Sequence, residues 1–279
     1  MTDPGDFVSK GWLVVALSQP ACAIVEEGRA LLLRTLRDSV SSSIASIERY
    51  HESVQDDARH TELQALLSTR FQEARIANRI IRAELPVWQS LIGTDLHVQR
   101  FPYLRVARPG KPQDNIGIHR DTHYGATPYE VSVSLAFTDN GVAGALGVIT
   151  GSHLRAEADF PVTQTQSADV TKGSVKHKLG FLYAPKQMSS DVRSRVEPAP
   201  TRPGEALVFS LSLIHGQEVN ASAVTRFSTD IRLVNSFAPI QWQRTVHADY
   251  YEPLAESPVA QQARRYYAAN GEASAGAAK

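Results

Sequence analysis

The sequence predicts a mainly β protein of the sandwich or barrel type, for which a jelly roll is the fitting form, preceded by a helical N-terminal third. Three observations predict it. From about residue 95 onward the chain breaks into short runs rich in β-branched and aromatic residues, punctuated by Gly and Pro. Over residues 20–95, apolar residues instead recur at helical spacing between polar ones. The length of 279 residues accommodates one large β-rich domain with an appended helical layer, or two modest domains.

Taken in order, the run Trp12-Leu13-Val14-Val15-Ala16-Leu17 is too short to span a bilayer and lacks a basic flank, so the expectation is a soluble, cytoplasmic protein. Leu32, Leu36, Val40, Ile44 and Ile47 form one helical stripe. Leu63, Leu66, Leu67, Phe71, Ala74, Ile81 and Leu85 form a second, with Pro86 near its end. Polar residues 50–57 read as the connection between them. Both stripes are expected to pack on the main domain. Strands are expected at Leu96–Phe101, Tyr103–Val106 before the Pro109-Gly110 turn, and Tyr129–Phe137. Further strands follow at Leu146–Ile149, Lys178–Tyr183, Ala206–Phe209 and Phe227–Val234. Residues 156–176 are polar and read as a surface loop, either idle or covering the mouth of a site. The predicted organisation is a helical region over 1–95, a core over 96–267 and a low-complexity, disordered tail over 268–279.

Composition narrows the function classes. Formal net charge is zero, with 29 basic and 29 acidic residues, so no electrostatic argument favours a nucleic-acid or anionic-membrane partner. Cys22 is the single cysteine, which excludes an intrachain disulfide and a thiolate metal cluster. A small-molecule partner is the expectation. Oligomeric state is open, a homodimer being one option.

Chemistry concentrates in Gly117-Ile118-His119-Arg120-Asp121-Thr122-His123-Tyr124-Gly125. In an extended segment, His119 and Asp121 project to the same side, because strand side chains repeat with period 2. One later histidine would complete two imidazoles and one carboxylate, the facial set that leaves three positions open on Fe(II). His215 follows the Ala206–Phe209 strand and precedes Gly216, where backbone is free to approach a ligand closely. Asn220 follows, and Arg226 opens the last strong strand. A guanidinium there can hold the far carboxylate of a dicarboxylate.

Together, His119-Arg120-Asp121, the stretch Gly144-Ala145-Leu146-Gly147-Val148-Ile149-Thr150-Gly151-Ser152-His153, and His215-Gly216 with Asn220 and Arg226 resemble the phytanoyl-CoA-dioxygenase-type Fe(II)/2-oxoglutarate oxygenases. The resemblance covers roughly residues 96–236 and departs from the family at Thr150, where a proline is usual. It implies a double-stranded β-helix, cupin-like core using Fe(II), 2-oxoglutarate and O2. It also implies iron ligation by His119, Asp121 and His215, and binding of the co-substrate's distal carboxylate by Arg226. With a carboxylate at Asp121, hydroxylation is favoured over halogenation; desaturation, epoxidation and ring formation share the same oxidant. A natural-product tailoring role fits the family's breadth.

Other residues carry weaker expectations. Arg232, on the same strand face as Arg226, competes with it or forms an ion pair. Ser134 and Thr138 are candidates for the co-substrate's proximal carboxylate. His123 shares parity with Asp121 if the segment stays extended and, with Tyr124 and Arg105, is a candidate for substrate binding. Gln113 and Asn115 are further candidates, His153 reads as structural, and Trp242, Tyr250 and Tyr251 as core or pocket aromatics. Two rival functions remain: a non-oxidative, cupin-like isomerase or hydrolase using zinc at the same three residues, and a jelly-roll binding module without metal.

Overall fold

The structure is a computed structural model that describes residues 4–139, 141–239 and 250–269. Among the described residues there are twelve strands: β1 (Trp12–Ala16), β2 (Leu96–Gln99), β3 (Tyr103–Ala107), β4 (Glu130–Ala136), β5 (Leu146–Val148), β6 (Val162–Gln164), β7 (Lys186–Met188), β8 (Glu197–Ala199), β9 (Glu205–Ser210), β10 (His215–Gly216), β11 (Arg226–Asn235) and β12 (Tyr251–Ala255). The main sheet has the order β1-β9-β4-β11-β2-β12, with β3 also on β11. A smaller sheet, β10-β5-β8, is extended by an antiparallel bridge between His119 and His215. The arrangement is a double-stranded β-helix with a helical N-terminal third.

Strand β11 shows how sequence period places the site. Its odd-numbered Phe227, Thr229, Ile231 and Leu233 are fully buried. Three of them join Leu32, Leu36, Leu63, Leu67 and Phe71 of the helices in one core, each contributing about 1.5–3 kcal/mol by burial. Its even-numbered Arg226, Asp230 and Arg232 line a cavity on the opposite face. Helices thus brace one side of the main sheet and leave the other for chemistry. Buried amides tie the layers together: Gln64 Nε2 donates to the Leu104 carbonyl and Asn78 Nδ2 to that of Gln99, both at 2.9 Å.

Five expectations need correction, one being the second stripe, which is divided among the separate helices Asp57–Glu73, Ile76–Ala83 and Leu85–Ile92, with Pro86 at the start of the last and not near an end. The first apolar run is strand β1, paired with β9 from Trp12↔Phe209 to Ala16↔Glu205, so the N-terminal third supplies an edge of the core sheet as well as helices. The first stripe is not one helix. Its helix ends at Ser39, while Ile44 and Ile47 are buried from irregular and 3-10 segments. The cause is local: the Ser41 hydroxyl accepts from the Ser43 N–H and bonds its hydroxyl, competing with helical bonding. Within the polar connection, Tyr50 is fully buried and bonds His60 Nδ1 at 3.0 Å. The Lys178–Tyr183 strand is absent. Val175–Lys178 is a helical turn, Gly180 has φ +84°, and Arg105 takes the Leu179 carbonyl at 2.9 Å.

Within the expected loop 156–176, β6 pairs with β7, and Phe160 and Val170 are buried anchors. Helix Pro258–Ala269 reaches into the expected tail, whose residues 270–279 lie outside the described ones, as does Trp242. Among the described residues no helix is long and apolar enough to cross a membrane.

Candidate metal centre

His119, Asp121 and His215 converge: one ligand atom from each lies within 4.8 Å of the others. Each is placed by a different local device. The two histidines face one another across the bridge, bonded through His119 N–H to His215 O at 2.8 Å and His215 N–H to His119 O at 2.9 Å. Arg120 is extended and alternates away from the cavity, its buried guanidinium over the Phe160 ring at 5.1 Å. Asp121 therefore returns to the His119 side, as period 2 requires.

Tautomers are set by backbone. His119 Nδ1 lies 2.9 Å from the Gly117 carbonyl and His215 Nδ1 3.0 Å from that of Leu213, so each Nδ1–H donates and each Nε2 is left for a metal. Burial, reinforced by the neighbouring His119, pushes His215 down to about 4, which keeps it neutral and able to ligate. Burial acts to raise the Asp121 carboxyl. The Arg232 charge, the largest opposing influence, together with His119 and His215 alongside outweighs it and holds that group far below the usual carboxylate range. Two imidazoles and one carboxylate are the donor set that suits a divalent first-row metal such as iron.

The cluster lines a cavity of about 250 Å³ with Arg105, Arg226 and Tyr124. Arg226 is buried, donates to Asn115 Oδ1 at 3.3 Å and leaves its Nε without a partner. Burial pushes it down to about 10, so it stays cationic. A buried guanidinium with an unsatisfied donor is a standing cost that an incoming carboxylate relieves. Arg232 donates to Asp121 Oδ2 at 3.0 Å, the ion-pair alternative for that residue. A larger groove of about 930 Å³ opens alongside, sharing Asn115, Ile116 and Leu182 with the cavity. No three-donor metal cluster besides His119, Asp121 and His215 is found among the described residues.

The weaker candidates divide. Tyr124 lines the cavity, its ring centroid 6.2 Å from that of His119 and its hydroxyl accepting from the Lys186 N–H at 2.7 Å. Arg105 lines it too, with Nη1 on the Leu179 carbonyl and its guanidinium 5.5 Å from the Phe181 ring centroid. His123 is not among the lining residues, because Asp121–Tyr124 forms a 3-10 turn and the parity expected of an extended segment ends at Asp121. Thr138 is fully buried and its hydroxyl accepts from the Phe227 N–H at 2.9 Å, a strand-end role. Ser134 pairs with Asp230 on the cavity side of β4, but Ser132 is the serine that lines the cavity.

Gln113 donates to Asp57 and Asn220 to the Ala107 and Val224 carbonyls, so both hold the scaffold. His153 bonds the Val8 carbonyl through Nε2 at 3.0 Å, a structural contact. Thr150 accepts from Trp12 Nε1 at 3.0 Å, a bond a proline there cannot supply. Tyr250 lines the cavity, and the Tyr251 hydroxyl donates to Glu130. Gly216 lines the cavity and also packs closely on the Gly117 backbone: a Cβ on it would sit 2.0 Å from the Gly117 carbonyl oxygen. Gln217 is a site residue that no sequence motif marks. It lines the cavity with a buried Oε1 that has no partner, and its position two residues after His215 was the available signal.

Fold and cluster define a double-stranded β-helix protein with a two-histidine, one-carboxylate centre. The chain belongs to the phytanoyl-CoA dioxygenase (PhyH) family, whose model matches residues 11–228. No curated protein sequence matches it. Among solved structures, the non-heme monooxygenase ThoJ in its apo form is similar with a TM-score of 0.54 at 17% identity, covering 91% of this chain and 84% of that one. The ThoJ–Ni complex gives 0.52 at 18% identity, covering 92% and 86%. At that identity the likeness establishes the fold.

Proposed function

We propose that the protein is an Fe(II)/2-oxoglutarate-dependent dioxygenase that oxidises, by hydroxylation in the first instance, an unactivated carbon of a small molecule. His119, Asp121 and His215 hold the iron and Arg226 anchors the distal carboxylate of 2-oxoglutarate. Bound iron supplies oxygen activation coupled to decarboxylation of the co-substrate. The protein's own residues position and exclude. Gly117 and Leu213 carbonyls hold the imidazoles in the ligating tautomer. Phe209, its ring centroid 4.4 Å from that of His215, walls the metal side against water. Tyr124 and Arg105 face the substrate, a natural-product intermediate being one candidate, and the helical layer of 1–95 braces the core of 96–267 as part of one working unit.

The observation that carries this reading is Arg226: a buried arginine that lines the same cavity as the three donors and whose Nε has no partner. An anaerobic titration with Fe(II) and then 2-oxoglutarate tests it. The visible charge-transfer band of the chelate should develop, vanish in His119→Ala and need far more 2-oxoglutarate in Arg226→Ala. Iron binding without a band would instead favour a non-oxidative metalloenzyme, and no metal binding a binding module.

A further inference from the structure

We propose that Arg232 is a positioning residue for the metal centre: it pins one oxygen of Asp121, so that the carboxylate offers a single oxygen to the metal. The inference rests on the iron assignment above. The two oxygens of Asp121 face different partners, Oδ1 lying 3.1 Å from His119 Nε2 and Oδ2 3.0 Å from Arg232 Nη2. Among the described residues Arg232 is the one side chain that donates a hydrogen bond to this carboxylate, His119 Nε2 being the nitrogen left for a metal. Asp121 stands at the first position of a single 3-10 turn, a local support too short to fix its side chain alone.

Arg232, by contrast, is held firmly. It lies on β11 with β4 alongside at Ser132, and its backbone N–H donates to Gln99 Oε1 at 3.2 Å. The clamp crosses 111 residues of sequence, from the main sheet to the turn that carries the ligand. A carboxylate free to rotate can chelate a metal with both oxygens. That would close one of the three positions that a bidentate 2-oxoacid and oxygen require. Pinning Oδ2 keeps those positions open and lowers the disorder of the ligand before metal arrives.

Arg226 and Arg232 share a strand face but cannot exchange roles. Six residues at about 3.3 Å each separate their Cα atoms by roughly 20 Å. One guanidinium meets a protein carboxylate, while the other keeps an unpartnered donor in the cavity.

The test compares full-length wild type, Arg232→Gln, Arg232→Lys and Arg226→Gln by anaerobic calorimetry with Fe(II), then with 2-oxoglutarate at saturating iron. Near-UV circular dichroism checks the fold of each. Arg232→Gln should weaken iron binding about 10- to 100-fold, the range for loss of an outer hydrogen-bond partner, and at saturating iron should also weaken 2-oxoglutarate binding, because the freed carboxylate can take a position the chelate needs. Arg232→Lys should fall between, because a point charge replaces a fork. Arg226→Gln should differ by leaving iron affinity intact while reducing 2-oxoglutarate affinity. Wild-type iron affinity in Arg232→Gln, or wild-type 2-oxoglutarate affinity there at saturating iron, overturns the proposal. Should Arg232→Gln not fold, wild-type iron affinity in Arg232→Lys overturns it. A wild type that binds no iron rejects the underlying assignment instead, so the two failures are distinguishable.

Discussion

Replacing Gly216 with alanine should damage fold and metal centre together. Gly216 has φ +141°, and a Cβ there would lie 2.0 Å from the Gly117 carbonyl oxygen, 2.8 Å from its carbon and 3.0 Å from the Ile118 Cα. All three are backbone atoms, so no side chain can swing away. Reaching ordinary contact means moving two backbones apart by about 1 Å or more. The His119–His215 bridge, at 2.8 and 2.9 Å, is the contact beside this point and would be stretched out of hydrogen-bonding range. Two lost bonds at about 1 kcal/mol each, with backbone strain of about 1–3 kcal/mol, give a destabilisation of roughly 3–5 kcal/mol. The same displacement separates the two imidazoles, so iron affinity should fall at least about tenfold.

Gly117→Ala is the control. Gly117 has φ +87° with no atom within 4 Å of a Cβ, so it should cost only the left-handed backbone penalty, about 1–2 kcal/mol. Urea unfolding with matched m-values measures both variants, and anaerobic iron titration measures the site. If Gly216→Ala came within about 1 kcal/mol of Gly117→Ala and bound iron like wild type, the close-approach reasoning would be refuted.

Three further outcomes are expected. Arg108, buried, forks onto Asp114 at 2.8 and 2.9 Å, so Arg108→Met should cost about 3–5 kcal/mol in urea unfolding by stranding a buried carboxylate, and a loss below about 1 kcal/mol would contradict it. Burial pushes His60 down to about 4 from the ordinary 6.5. Between those values the unfolded chain binds the extra proton, so stability should fall as pH drops from 6.5 towards 4, by up to about 1.4 kcal/mol per pH unit. His60→Gln should flatten that slope; an unchanged slope between pH 7 and 5 assigns it elsewhere. Thr150→Val should remove the Trp12 hydrogen bond and cost about 1 kcal/mol. Combined with Trp12→Phe the two losses should be less than additive, and strict additivity in a double-mutant cycle would rule the bond out.

What the sequence determined by itself follows from short-range periodicity. Alternation along Glu130–Ala136 and Arg226–Asn235 marked strands and their faces, and helical spacing marked the layer that covers them. The pairing of His119 with Asp121 was legible for the same reason, since a two-residue spacing on an extended backbone is a statement about side-chain direction, while the roles of His215 and Arg226 were implied by the resemblance of their motifs to the family's. Tertiary structure decided what depends on which distant groups meet. The 3-10 turn at Asp121 removed His123 from the cavity by ending the alternation that had pointed it there. Trp12–Ala16 became a sheet edge only because β9 lies beside it. Arg226 and Arg232 are equivalent by parity, yet one keeps an unpartnered donor in the cavity and the other clamps Asp121. Parity fixes a face. The partner on that face is set by register between strands and by the packing that brings residues 111 apart in sequence to within 3.0 Å.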